Sequence, residues 1–215
     1  MIDMAPFVNR EHAAHLLCEK IRNENIEADL IMALPRGGVP VGNIMAMKMK
    51  IPLRLILIRK IGHPNNPEYA IGAVSETDVV MNDASHYGTE YLKKEIVKER
   101  KRIVEMQKIF NHQYQNQDIS GKRILLTDDG IATGTCMELA LKELKENGAS
   151  SVKIAVPVCP YNTYQKLIKK SDGMICILVA QNFLGIGSYY DDFRQLTDEM
   201  VISILDKKKL PEQVA

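Results

Sequence analysis

The stretch Arg123–Glu138, RILLTDDGIATGTCME, concentrates the residue types that could do chemistry. An apolar run ends in two adjacent carboxylates, Asp128 and Asp129. A loop of small and hydroxyl residues follows, Gly130, Ile131, Ala132, Thr133, Gly134 and Thr135, and leads into a helix candidate. Such a loop can wrap a phosphate, because its N–H groups point inward and a helix N-terminus favours an anion. Thr133 and Thr135 add hydroxyl donors, and Gly134 lets the backbone approach a ligand closely. Adjacent acids repel each other, which disfavours a purely structural role. Hydrogen bonds from a vicinal diol, or a hydrated Mg²⁺, would stabilise both charges. A diol beside a phosphate describes a ribose 5-phosphate. The spacing is neither that of a Walker A loop nor that of the dinucleotide GxGxxG turn.

Three further groups could serve the same ligand. Leu34-Pro35-Arg36-Gly37-Gly38 follows another apolar run. Bare N–H groups at Gly37 and Gly38 before a helix start suit a diphosphate, and Arg36 can bind one bidentately. A plain strand–helix turn is the alternative. Arg59 and Lys60 close a second apolar run and open a Gly/Pro/Asn-rich stretch that reaches Glu76. Near the end, FLGIGSYYDDFR brings Phe183, Tyr189, Tyr190 and Phe193 together. These rings could stack on a base or be ordinary core.

The elements that must hold these groups alternate. Leu30–Leu34, Leu53–Ile58, Arg123–Thr127, Val152–Val156 and Ile175–Val179 read as strands buried on both faces. Val39–Lys50, Gly134–Asn147 and Tyr161–Lys170 read as helices between them. Arg10–Asn25 reads as an amphipathic helix capped by Asn9, and Thr197 could cap another running to about Asp206. The expectation is an α/β fold with a five-stranded, mostly parallel sheet flanked by helices. With no repeat or low-complexity linker, residues 1–215 are expected to form a single domain. One insertion breaks the rhythm: roughly 60 residues separate the second and third strands, more than a crossover needs. Its first part reads as a loop. Its second, Ser85–His112, reads as a long helix with Leu92, Ile96, Ile103, Met106 and Phe110 on one stripe. From Lys93 to Lys108 that helix carries seven Lys/Arg against three Glu, either a solvated face or a nucleic-acid face.

Composition narrows the field. The 215 residues are 46% hydrophobic and 26% charged with a formal charge of +1, which argues against disorder and against a dedicated nucleic-acid binder. Cys18, Cys136, Cys159 and Cys176 are too scattered for a zinc site, and isolated thiols suggest a reducing compartment. The five histidines, His12, His15, His63, His86 and His112, include no HExxH pair. The opening MIDMAPFVNR lacks a signal-peptide plan, and the charge-free stretch 173–190 contains three glycines, so no membrane span is expected. A cytoplasmic protein is the expectation.

An apolar strand followed by Asp-Asp-x-x-Ala-Thr-Gly resembles the phosphoribosylpyrophosphate (PRPP) signature of the type I phosphoribosyltransferases. ALPRGG, RKIG, NPEYAIGAV and YYDDF further resemble the predicted bacterial phosphoribosyltransferases of undefined substrate. The resemblance implies that fold, with a small hood from N- and C-terminal segments (180–196) and a lid loop plus long helix (59–115). It implies Mg²⁺-dependent transfer of a 5-phosphoribosyl group from PRPP to a nucleobase or related heterocycle, with release of pyrophosphate. Asp128 and Asp129 would hold the ribose hydroxyls and Mg²⁺. Gly130, Ala132, Thr133, Gly134 and Thr135 would cradle the 5-phosphate. Pro35, Arg36, Gly37, Gly38, Arg59, Lys60 and Arg194 would meet the pyrophosphate, and Phe183, Tyr189, Tyr190 and Asp191 the base. Arg36, Arg59 and Asp129 would be the catalytic residues. Ala132 cannot take a proton, so the loop offers no general base. A homodimer is implied; membrane and nucleic-acid partners are not. The alternative within the same fold is a non-catalytic regulator that senses PRPP or nucleotides.

Overall fold

Residues 5–82, 87–110 and 118–206 are described by the structure, a computed structural model. Five strands form a parallel sheet: β1 (Leu30–Ala33), β2 (Leu53–Leu55), β6 (Arg123–Thr127), β7 (Ser151–Pro160) and β8 (Met174–Ala180), in the order β2-β1-β6-β7-β8. Every residue of β1 is buried, as are Ile124 to Thr127 of β6, because helices cover both faces. One layer holds α1 (Arg10–Asn23), α2 (Gly38–Met49) and α6 (Asp198–Asp206), packed through Leu17, Met45 and Val201. The other holds α4 (Thr135–Glu146) and α5 (Tyr161–Ile168), packed through Leu139, Leu144 and Leu167. Asn9 caps α1 by accepting from the His12 N–H at 2.8 Å. Helix and strand ends otherwise match the sequence expectation to within a few residues, the usual scatter of element boundaries.

From β1 the chain runs through α2 to β2 on one side, while β6 lies on the other. The β1–α2 and β6–α4 connections therefore diverge above neighbouring strand ends. Such a switch point opens a crevice at the carboxyl edge of a parallel sheet. Ala33 pairs with Thr127, so the Arg36–Gly38 loop and the Asp128–Asp129 pair rise side by side.

Two expectations need correction. The strand Leu53–Ile58 stops at Leu55, because β1, its only neighbour among the described residues, ends at Ala33 and carries the ladder no further. The stretch Arg59–Glu76 is not a loop. It forms β3 (Arg59–His63) and β4 (Asn66–Val74), joined to β5 (Val79–Met81) in an antiparallel sheet. Its Pro and Asn residues cluster at the hairpin turn, where the Asn65 N–H donates to His63 Nδ1 at 3.0 Å. Gly72 lets β5 close in, since a Cβ there would stand 2.8 Å from the Val80 carbonyl oxygen. This sheet sits against α4 through Lys142–Asp78 (2.8 Å), Asn82–Thr135 (2.9 Å) and a Ser75–Glu143 hydrogen bond.

The long helix is α3 (Thr89–Ile109). The expected ends near Ser85 and His112, with His86 and part of the 59–115 segment, lie outside the described residues. Ile103, Met106 and Phe110 are buried and Leu92 and Ile96 partly so. Glu99 interrupts that stripe and is only 2% exposed. The cations of α3 are largely engaged: Lys94 with Glu90 (3.3 Å), Lys98 with Glu95 (2.7 Å), Arg102 with Glu99 (2.6 Å), and Arg100 with the Ser75 and Thr77 carbonyls.

Candidate active site

The acidic pair stands where β6 leaves the sheet. The Asp128 carboxylate accepts from the Asp129 N–H at 2.8 Å, and Asp129 Oδ2 accepts from Arg10 Nε at 2.7 Å. Burial raises the pKa of Asp128 well above the usual carboxylate value, and the neighbouring Asp129 charge adds to it. Burial also raises Asp129, with Arg10 pulling the other way. Two carboxylates held this way favour a ligand that brings positive charge or hydroxyl donors.

The β1–α2 loop presses against this pair. A Cβ on Gly37 would overlap the Asp129 carboxylate, and one on Gly38 would lie 2.8 Å from the Thr127 carbonyl oxygen. Glycine is therefore required by close approach at both positions. The Pro35–Arg36 peptide is cis. Arg36 turns toward the C-terminal segment, its Nε 2.9 Å from Asp198 Oδ1 and its Nη1 2.8 Å from the Leu196 carbonyl oxygen.

A cleft of about 380 Å³ opens over the loop after β6. Gly130 and Ala132 to Thr135 line it, with Asp128 at one end, Lys60 and Ala70 from the antiparallel sheet, and Ile186, Gly187 and Phe193 from the C-terminal segment. Gly134 adopts φ +81°, where a side chain would be strained and would meet Thr163. The Thr163 hydroxyl donates to the Ala132 carbonyl at 2.9 Å and pins the loop. Thr135 is fully buried and bonds to Asn82, while the Thr133 hydroxyl lies 3.3 Å from that of Thr135. Cys136 stays a thiol: burial, then the Asp128 charge, pushes its pKa up to about 12.

The family model for the phosphoribosyl transferase domain matches residues 9–194. The chain belongs to that family. A provisionally named phosphoribosyl transferase of Mycobacterium tuberculosis is 32% identical over 209 residues, which cover 95% of this chain and 47% of the relative. The chain thus spans just under half the length of that relative. A crystal structure of TT1426 from Thermus thermophilus superposes with a TM-score of 0.77 at 35% identity, covering 94% of this chain and 98% of the other. A hypoxanthine/guanine phosphoribosyltransferase of Methanothrix soehngenii is 24% identical over 156 residues, 73% of this chain and 63% of the relative.

Within this phosphoribosyl transferase domain the expected site residues fall into three groups. Asp128, Gly130, Ala132, Thr133, Gly134, Thr135 and Lys60 line one cleft. Asp129, Gly37 and Gly38 close in beside it. The others are turned elsewhere. Strand alternation puts Lys60 on the cleft side of β3 and sends Arg59 toward α3, where its Nε meets Glu99 at 2.9 Å. The Arg194 side chain is 84% exposed and pairs with Asp192. Tyr190 is buried, stacked on Phe193 at 4.9 Å, with its hydroxyl donating to the Asp129 carbonyl at 2.6 Å. Phe183 stacks on Tyr189 at 5.6 Å, whose hydroxyl donates to the Asn182 carbonyl. Asp191 is exposed, and its N–H donates to the Phe7 carbonyl at 2.9 Å. The C-terminal wall of the cleft is Ile186, Gly187 and Phe193 instead.

Sequence reasoning missed Arg10, Asn82 and Glu99. Arg10 and Asn82 lie far along the chain from the residues they bond, so no local spacing announces them. Glu99 did leave a signal, a carboxylate on an otherwise apolar helical stripe.

Among the described residues no helix is long and apolar enough to cross a membrane, and no three His, Cys, Asp or Glu residues cluster as a metal cage. The Asp128–Asp129 pair alone fits Mg²⁺, which is commonly held by one or two carboxylates plus substrate oxygens.

Proposed function

We propose that the chain transfers the 5-phosphoribosyl group of PRPP to a nitrogenous base or related heterocycle, with Mg²⁺ bound at Asp128 and Asp129. The observation that carries this reading is the acidic pair of β6 joined to a phosphate-sized loop, with Gly37 and Gly38 pressed against it from β1. In the reaction the bond from C1 of the ribose to the pyrophosphate oxygen breaks. A bond from C1 to a base nitrogen forms, and that nitrogen's proton leaves to solvent or to the departing pyrophosphate. Asp128 and Asp129 accept from the ribose hydroxyls, and the N–H groups of Ala132 to Thr135 hold the 5-phosphate. The Gly37 N–H meets the pyrophosphate, the Gly38 N–H being given to the Leu34 carbonyl, and Lys60 across the cleft contributes positive charge, joined by Arg36 when it exchanges Asp198 for the anion. Bound Mg²⁺ supplies charge neutralisation for the leaving group. Ile186 and Phe193 shield the base side from water. Catalysis by this constellation is mainly orientation and electrostatics, since no side chain of the loop residues 130–135 can act as a base.

Magnesium dependence, the cytoplasm and a homodimer belong to this proposal too. The regulator alternative loses support from α3, whose cations are mostly paired within the helix or with nearby carbonyls.

The test is a chromatographic assay of the purified chain with Mg²⁺, PRPP and a panel of purine and pyrimidine bases. A nucleotide peak that requires both PRPP and one base is expected, with pyrophosphate in equal amount. Asp129→Ala should abolish PRPP binding by calorimetry, and unchanged binding would sink the assignment.

A further inference from the structure

Arg10 joins the two halves of the site. It is the first residue of α1, a position where a cation opposes the helix dipole, and its side chain is only 12% exposed. Its Nε lies 2.7 Å from Asp129 Oδ2, and its Nη1 lies 2.9 Å from the carbonyl oxygen of Arg194. Its Cζ stands 3.9 Å above the Phe193 ring. A surface ion pair would need only the carboxylate. Here one planar guanidinium uses its edge on an acid and a carbonyl and its face on an aromatic ring, which an ammonium cannot do. Phe193 walls the cleft, and Asp129 is half of the acidic pair. Tyr190 adds a second tie, stacked on Phe193 and bonded to the Asp129 carbonyl.

We propose that Arg10 is a positioning residue that fixes the acidic pair and the Phe193 wall in one frame, so that the sugar and the base of a single ligand are read together. This rests on the phosphoribosyl-transfer reading above. Arg10 is not among the residues that line the cleft. Its effect passes through Asp129 on one side and through Phe193 and the Arg194 backbone on the other.

The experiment is calorimetric binding of ribose 5-phosphate, AMP, GMP and UMP, each with MgCl₂, to the wild type, Arg10→Lys and Arg10→Gln. Thermal unfolding of each protein is recorded alongside. Ribose 5-phosphate reads the sugar half. The affinity ratio of the tightest nucleotide to ribose 5-phosphate reads the base half. In Arg10→Lys the ammonium falls near the guanidinium carbon, so it still faces Asp129 but does not reach the Arg194 carbonyl. Expected for Arg10→Lys is ribose 5-phosphate affinity within about threefold of wild type and a nucleotide ratio lowered about tenfold. Expected for Arg10→Gln is a loss of about tenfold or more in ribose 5-phosphate affinity as well.

Unchanged binding of all four ligands in both variants would overturn the proposal. A parallel fall with the ratio preserved would overturn it too, leaving Arg10 a scaffold residue. A wild type that gains nothing from any base would remove the coupling. A wild type that binds none of the four ligands would instead overturn the phosphoribosyl reading on which this rests.

Discussion

Gly37→Ala sets two physical effects of opposite sign against each other. Gly37 has right-handed helical dihedrals, φ −57° and ψ −39°, at the start of α2. On backbone grounds alanine is favoured there by about 0.4–1 kcal/mol, because it restricts the unfolded chain. The space around it says the reverse, since the added Cβ would overlap the Asp129 carboxylate. That carboxylate is not free to swing aside: Arg10 holds its Oδ2 at 2.7 Å, and the residue is buried. Giving up a charge-assisted bond of this kind costs about 1.5–3 kcal/mol. If the loop retreats instead, it loosens the bonds from Gly38 N to Leu34 O (3.0 Å) and from Val39 N to Arg36 O (3.1 Å). Those are worth about 1 kcal/mol each. Either route outweighs the backbone gain, and the net expectation is destabilisation by about 1–2 kcal/mol.

The same displacement moves Asp129 from the position at which it would accept from a ribose hydroxyl. PRPP affinity is then expected to fall by about 5- to 30-fold, the equivalent of the same 1–2 kcal/mol. Urea unfolding measures the first quantity and calorimetry with PRPP and Mg²⁺ the second. Gly88→Ala is the control: a Cβ there meets nothing within 4 Å. With φ −59° and ψ 133° it shares the backbone gain without the clash, so its stability should not fall by more than about 0.5 kcal/mol. A Gly37→Ala protein as stable as wild type, with PRPP binding intact, would refute the claim that this loop and the acidic pair are in forced contact.

Asp128→Asn should raise stability at pH 7 by about 1 kcal/mol while weakening PRPP binding, because it removes a partly buried charge that Asp129 repels. The sign with pH follows from linkage. A carboxyl whose folded pKa is raised stabilises the fold below its unfolded value and loses that contribution as pH rises through the folded value. The urea midpoints of wild type and Asp128→Asn should therefore converge near pH 4 and separate toward neutrality; a gap that widens toward acid would contradict this. Glu99→Ala leaves Arg59 and Arg102 without their shared buried carboxylate. Both partners keep some solvent access, so about 1–2 kcal/mol of stability should be lost. Glu99→Leu, which completes the apolar stripe of α3, should lose less in the same urea titration. Tyr190→Phe deletes the hydroxyl that donates to the Asp129 carbonyl and should lower stability by about 1 kcal/mol.

What could be read from the chain depended on whether a feature was contiguous. The five apolar runs announce a doubly covered parallel sheet, because burial on both faces removes the alternation that a half-exposed strand would show. Asp128 to Thr135 is legible for the same reason: its acids, small residues and helix start act through one short backbone path. The hairpin of β3 and β4 reads as a loop in the sequence because Pro64, Asn65 and Asn66 lower the apparent order of a whole window, although they occupy only its turn and the first residue of β4. The direction of a side chain was harder still. Arg59 and Lys60 are adjacent cations of equal promise, and only the pleat of β3, set by its pairing with β4, sends one to Glu99 and the other to the cleft. The aromatic cluster shows the same limit. Tyr190 and Phe193 are three residues apart and both apolar in character. Tyr190 has its hydroxyl committed to the Asp129 carbonyl, while Phe193 keeps an edge on the cleft. Arg10 marks the end of this series. It lies 119 residues from Asp129 and 184 from Arg194, and its importance arises only when the fold brings α1 over the acidic pair. A residue of that kind has no local pattern to match. It is found by asking which buried charge the acidic pair would otherwise lack.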